Sequence, residues 1–163
     1  MSDILCLYYS RTGKTKRAME EIALALDAEI VGIQDEINRV GTMGFIMSGL
    51  DAVRKNTHRL KRFETDKPLN EYRLVILGTP VWAGRCSAVM RGFLKRRGKE
   101  LPDTAYVVTR SSDQRCEDVF RQMDLYTEKP HVLDVSLRSK AVGYQFWLNE
   151  FVKSVQKYLE SEK

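Results

Sequence analysis

The sequence predicts an open, doubly wound α/β sheet of parallel strands. Three observations carry that reading. Residues 4–9, 29–34, 74–78, 105–109 and 131–137 are short apolar segments of strand length. Runs such as ILCLYY and LVILG are unbroken rather than alternating, the mark of strands buried on both faces. Segments of helical period separate them, so the chain alternates strand and helix as right-handed βαβ units do.

Each element follows in order. The first strand, residues 4–9, runs into a Ser/Thr/Gly cluster, and from Thr15 onward Ala18, Met19, Ile22, Ala23 and Leu26 recur on one helical face. The second strand is EIVGIQ at 29–34 and the third is LVILG at 74–78. A helix over 86–97, the fourth strand AYVVT, a helix over 113–126 and the fifth strand HVLDVSL come next. In the last helix, 144–159, Tyr144, Trp147, Leu148, Phe151, Val152, Val155 and Leu159 form one apolar stripe, which places Trp147 in the core.

The connection over 35–72 far exceeds the usual 2–6 residues of an α/β unit. It holds a helical signal of its own, with Ile46, Leu50, Val53, Thr57 and Leu60 at steps of three or four and Thr42 as its candidate cap. Gly41 and Gly44 make 39–45 a flexible approach, and Arg54, Lys55, Arg59, Lys61 and Arg62 are expected to follow on the helix.

Length and composition bound the function. A chain of 163 residues with 43% hydrophobic content suits one compact domain over 1–163, and excludes collagen, long coiled coil and disorder. No apolar run approaches a membrane span, and the N-terminus has no basic region or cleavage site, so a cytoplasmic protein is expected. Cys6, Cys86 and Cys116 form no C-x-x-C pair, and His58 and His131 are far apart, so neither disulfide nor metal is expected. Cys6 belongs to a buried strand and should be inert; Cys86, at a helix start, is read as structural because no resolving cysteine is near. The net charge is +5, and residues 53–62 and 91–99 each hold five Lys/Arg and no acid. Such runs are read as solvated helix faces.

In doubly wound sheets, ligands bind beyond the carboxyl ends of the strands, at the switch point. There, after the first strand, stand Ser10, Arg11, Thr12, Gly13, Lys14 and Thr15, opening a helix. Three hydroxyls, one glycine and a helix N-terminus suit a phosphate better than a simple cap requires. The ending Gly13-Lys14-Thr15 looks like a Walker A loop, but that motif needs glycine where Tyr8 stands. The third strand also ends in Thr79-Pro80 instead of the acid that would hold magnesium.

The loop resembles instead the T/S-x-T-G-x-T phosphate loop of flavodoxins. After the third strand, Thr79, Pro80, Val81, Trp82, Ala83 and Gly84 resemble the second flavin loop of flavodoxin-like proteins. The pair of loops, at the family's strand–helix spacing, covers the chain in element order. The resemblance implies a five-stranded parallel sheet in the order 2-1-3-4-5 and a non-covalent FMN. It also implies that Trp82 stacks on the isoalloxazine, while Thr79 and the loop amides reach its rim. The competing reading makes Trp82 a core residue. After the fourth strand, flavodoxins commonly carry a glycine-containing turn. This chain has Thr109, Arg110 and Ser111, where Thr109 and Ser111 can donate hydrogen bonds. Arg110 either brings a cation to the flavin's N1–O2 edge or points to solvent.

Electron-carrying flavodoxins are typically acidic and this chain is basic, a setting that favours the anionic reduced flavin. The implied roles are a carrier that meets a redox partner protein, or a reductase passing electrons from NAD(P)H to a small quinone-type acceptor. A cofactor-free module binding nucleic acid or an acidic partner is the alternative. It lacks the aromatics interleaved with cations that single-strand binders use, since the basic runs offer only Phe93. The 35–72 connection must cross over the first strand. It either forms a solvated helix covering the sheet, or walls the substrate side of the flavin with Phe45 while its cations attract an anionic donor such as NADPH.

Overall fold

The computed structural model describes residues 2–113 and 116–163. Five parallel strands, β1 (Ile4–Tyr8), β2 (Glu29–Gly32), β3 (Leu74–Trp82), β5 (Asp103–Arg110) and β6 (Leu133–Arg138), lie in the order β2-β1-β3-β5-β6. A two-residue strand, β4 (Arg85–Cys86), pairs antiparallel with the end of β3. Counted without β4, this is the expected 2-1-3-4-5 order, with the switch point between β1 and β3.

Two apolar layers cover the sheet. On one face α1 (Lys14–Leu26) and α5 (Tyr144–Ser161) bury Met19, Ile22, Phe151 and Val155 against Ile76 and Val107. On the other, α3 (Ala88–Arg97) and α4 (Glu117–Asp124) bury Phe93, Val119 and Met123 against Leu77 and Tyr106. The unbroken apolar runs are thus strands buried from both sides.

The third strand continues beyond Gly78 to Trp82, where a loop was expected. β1 ends opposite Gly78, so from Thr79 onward that side of β3 has no parallel neighbour. Pro80 then leaves no ladder bond unmet. Ala83 and Gly84, at φ 49° and 74°, form a two-residue turn into β4. Positive φ at both central positions matches the right-handed twist of the strands.

Several helix expectations change. α3 begins at Ala88, with the Ser87 side chain accepting from the Met90 amide, rather than at Cys86. α4 begins at Glu117; Gln114 and Arg115 lie outside the described residues. Trp147 is 56% exposed, because Leu148, Phe151, Val152 and Val155 already form the inward stripe of α5.

The long connection contains α2 (Gly41–Arg54), which packs against α3 and β3. Its N-cap is Val40 and no side chain caps it, so Thr42 lies inside the helix. The approach is not a loose segment, since Arg39 is buried. Past Arg54 the chain leaves the helix. It returns antiparallel beside 34–36, through the Lys61 amide on the Gln34 carbonyl and the Glu36 amide on the Arg59 carbonyl. Lys55, Arg59, Lys61 and Arg62 are therefore not on α2.

Candidate functional site

A cleft of about 490 Å³ opens beyond the carboxyl ends of β1, β3 and β5. That volume lies within the roughly 300–1,000 Å³ of small-molecule sites. Four segments wall it. The β1–α1 loop supplies Ser10, Arg11, Thr12, Lys14 and Thr15; the β3 hairpin supplies Pro80, Val81, Trp82 and Ala83. Thr109, Arg110 and Ser111 come from the end of β5, and Phe45, Ser48 and Gly49 from α2.

The loop is built for an anion. Gly13, at φ 96°, is the N-cap of α1, and among the described residues no side chain caps the amides of the first turn. Those amides have no intrahelical acceptor. No acid stands in that turn, so the positive end of the helix faces the cleft uncompensated. The Gly13 amide itself donates to the Ser10 hydroxyl at 3.0 Å, which locks the loop's curvature. Below it the buried hydroxyls of Thr15 and Thr109 share a bond of 2.7 Å, tying the first loop to the third.

Three residues expected at the site do not line the cleft. Thr79 is buried; its hydroxyl accepts from the Ser87 amide at 3.0 Å and also meets the Ser87 hydroxyl. It fixes β3 to the start of α3 and does not line the cleft. Gly84 serves the turn, and Gly13 borders an adjoining cavity of about 470 Å³ with Lys14, Arg17 and Lys140.

Trp82 combines the two roles the sequence had opposed. It lines the cleft and packs against the core cluster. Tyr9 meets it edge-on at 5.6 Å, and the Arg39 guanidinium sits 5.1 Å from its ring centre. Arg110 lines the cleft rather than pointing to bulk solvent: its Nε donates to the Ser136 hydroxyl and its Nη1 to the Ser112 carbonyl. Its charge is thereby held at the cleft edge.

The α2 wall rests on groups that the sequence did not single out. Arg39 is 4% exposed, and its Nη2 donates to Asp35 at 2.7 Å and to Asp51 at 2.8 Å. Burial works against its charge, but the bonds to the two carboxylates outweigh that and raise its pKa. Its Nη1 donates to the Ser48 hydroxyl, and Arg11 donates to the Arg39 carbonyl while lying over the Phe45 ring at 5.4 Å. A signal for this wall does exist in the sequence: Gly44, Ser48 and Ala52 recur every four residues, a small-residue face that lets a helix approach closely.

Other groups take no part in the cleft. Burial pushes the Cys6 thiol up to about 12 and the Cys86 thiol up to about 11, so both stay protonated. Arg91, expected on a solvated face, is 4% exposed and holds the Asp51 and Asn56 carbonyls at the end of α2. Among the described residues, none of Arg54, Lys55, Arg59, Lys61 and Arg62 lines the cleft, and no group of three His, Cys, Asp or Glu could hold a metal ion. Among them, too, no helix is long and apolar enough to cross a membrane.

No protein-family profile and no curated protein matches the chain. Solved structures do. A flavoprotein from Lactobacillus acidophilus, crystallised in complex with FMN, aligns at TM-score 0.65 and 20% identity, covering 90% of this chain and 99% of that one. A Bacteroides eggerthii protein assigned as a flavoprotein aligns at TM-score 0.70 and 18% identity, covering 93% and 98%. A WrbA-like flavodoxin from Agrobacterium tumefaciens aligns at TM-score 0.58 and 15% identity, covering 96% and 99%. The chain has the flavodoxin-like fold.

Proposed function

We infer that the protein is a redox protein holding FMN without a covalent bond, its phosphate on the β1–α1 loop and its ring against the Trp82 hairpin. One observation carries this: an uncapped helix N-terminus with a hydroxyl-rich loop opens into the same cleft that Trp82 walls. A phosphate monoester attached to a flat aromatic system satisfies both ends at once. The neighbour crystallised with FMN supports the reading.

The residues present fit that group. The first-turn amides of α1 and the hydroxyls of Ser10 and Thr12 would hold the phosphate oxygens. Trp82 and the hairpin would hold the ring plane, and Ser111 and the backbone after β5 would meet its polar edge. Bound FMN supplies one- or two-electron transfer, and the protein sets its position and surroundings. Arg11, Lys14 and Arg110 line the cleft, so negative charge developing on a ring bound there is favoured. Electrons would pass to a redox partner protein, or from NAD(P)H to a small quinone-type acceptor. Oxidation of NADPH with added quinone, after FMN loading, separates these roles.

Titration by quenching of flavin fluorescence tests the reading. FMN is expected to bind at least about tenfold tighter than riboflavin, because a single charge-assisted hydrogen bond contributes about 1.5–3 kcal/mol. FAD is expected to bind more weakly than FMN, since its adenosine must leave from the phosphate loop. Equal affinity for FMN and riboflavin would remove the phosphate site.

A second expectation concerns Trp82. Trp82→Ala should weaken FMN binding several-fold, an aromatic stack contributing about 0.5–1.5 kcal/mol beyond burial. Quenching should fall with it, while the circular dichroism stays that of the folded chain. Undiminished affinity would mean that the indole serves packing alone.

A further inference from the structure

Helix α2 is amphipathic in the inverted sense. Its inward face is Gly44, Ser48, Asp51 and Ala52, all buried. Its outward arc is Met43, Ile46, Met47, Leu50 and Val53, with exposures of 73%, 49%, 38%, 44% and 63%. A globular helix ordinarily turns such a stripe to the core, and monomers rarely leave a contiguous apolar face open. Ile46, Leu50 and Val53, whose spacing reveals the helix in the sequence, are among the residues it presents to solvent.

The charges nearest this face are predominantly basic. Between Asn38 and Arg62 the sole acid is Asp51, which is buried on Arg39. Arg54 and Lys55 are exposed at the end of α2 and Lys61 is exposed beyond it, while the exposed Arg59 and Arg62 stand 4.0 Å from Glu36 and 3.6 Å from Glu64. Across the β1–α1 loop lies a second patch of the same composition. Val142, Phe146 and Trp147 are exposed at the start of α5, beside Lys140. Arg11 on Phe45 touches the first patch, and Thr12 and Lys14 border the second.

We propose that α2 docks this protein peripherally on an anionic membrane surface, its apolar arc entering the headgroup boundary and its cations meeting the lipid phosphates. Large aliphatic side chains flanked by Lys/Arg are the composition of helices that lie in that interface, and aromatic anchors such as Phe146 and Trp147 favour the same depth. Thr42 is the one hydrogen-bonding side chain on the exposed body of α2 before Arg54. A protein partner would demand about one hydrogen bond per 100–200 Å² to fix its register. A bilayer makes no such demand. A second copy would bring the same cations together, whereas acidic headgroups complement them. Phe45 lies on both α2 and the cleft wall, so docking sets the mouth of the cleft at the bilayer surface. The docking goes beyond the redox reading and does not depend on it.

The test is co-sedimentation of the full chain with vesicles of mixed phosphatidylglycerol and phosphatidylcholine, and with phosphatidylcholine alone. Binding is expected to the mixed vesicles only. It should weaken roughly tenfold or more in Arg54→Gln/Lys55→Gln, and equally in Met43→Ser/Ile46→Ser/Val53→Ser. None of these residues lines the cleft, so FMN affinity and melting temperature should hold; should the triple variant not fold, Val53→Ser alone replaces it. Sedimentation velocity runs in parallel. Failure to bind the mixed vesicles, binding that survives loss of the apolar arc, or a dimer abolished by the apolar variant would each overturn the proposal.

Discussion

Arg39→Ala is expected to cost about 3–5 kcal/mol of stability, the range for breaking one partner out of a buried ion pair. Asp35 and Asp51 keep only 2% and 3% side-chain exposure, so removing the guanidinium strands two carboxylates in a dry site. His58 bonds the Asp51 carboxylate at 3.0 Å and softens that loss, whereas Asp35 keeps the Ile37 amide, which donates to its Oδ1 at 3.3 Å. Arg39→Lys should recover little, because one ammonium cannot span both carboxylates and Ser48 as the planar fork does. The same change releases the face of Trp82, so flavin affinity should fall along with the melting temperature. Urea unfolding with and without FMN measures both. A cost below about 1 kcal/mol would show that water already solvates this network, and the α2 wall would then need another explanation.

How much of this was legible depends on whether the signal was local. Strands β1, β3 and β5 were readable because burial on both faces removes polar residues from consecutive positions, a property of the sequence itself. The β1–α1 loop was readable because its hydroxyls and glycine must sit together at one helix end. Thr79 was misplaced because its partner, Ser87, lies across a hairpin that the Thr-Pro pair made look like a loop. The Arg39 network was invisible because its acids stand 4 and 12 residues away with no pattern linking them. Helical spacing reveals α2 but not which way its apolar face turns. A period of 3.6 states that one face is apolar and is silent on whether that face meets the core. Trp147 fails for the same reason, since it follows the stripe of α5 yet lies beside the part that is buried.

The sharpest contrast in α2 lies between two of its glycines. A Cβ on Gly44 would stand 2.1 Å from the Arg39 carbonyl carbon and 2.2 Å from its oxygen, both backbone atoms that cannot turn aside. A Cβ on Gly49 would meet nothing within 4 Å. Helix propensity alone makes either Gly→Ala change favourable by about 1 kcal/mol. At Gly49 that term stands unopposed, and Gly49→Ala should raise the melting temperature. At Gly44 the overlap forces α2 away from Arg39, and such overpacking costs about 1–3 kcal/mol or more, which outweighs propensity. Displacing the helix also loosens Arg39 from Ser48 and carries Phe45 off the cleft, so Gly44→Ala should lose flavin affinity as well as stability. Urea unfolding of the two variants side by side decides the matter. If Gly44→Ala proves as stable as Gly49→Ala, the close seat of α2 on Arg39 is not what holds the cleft wall in place.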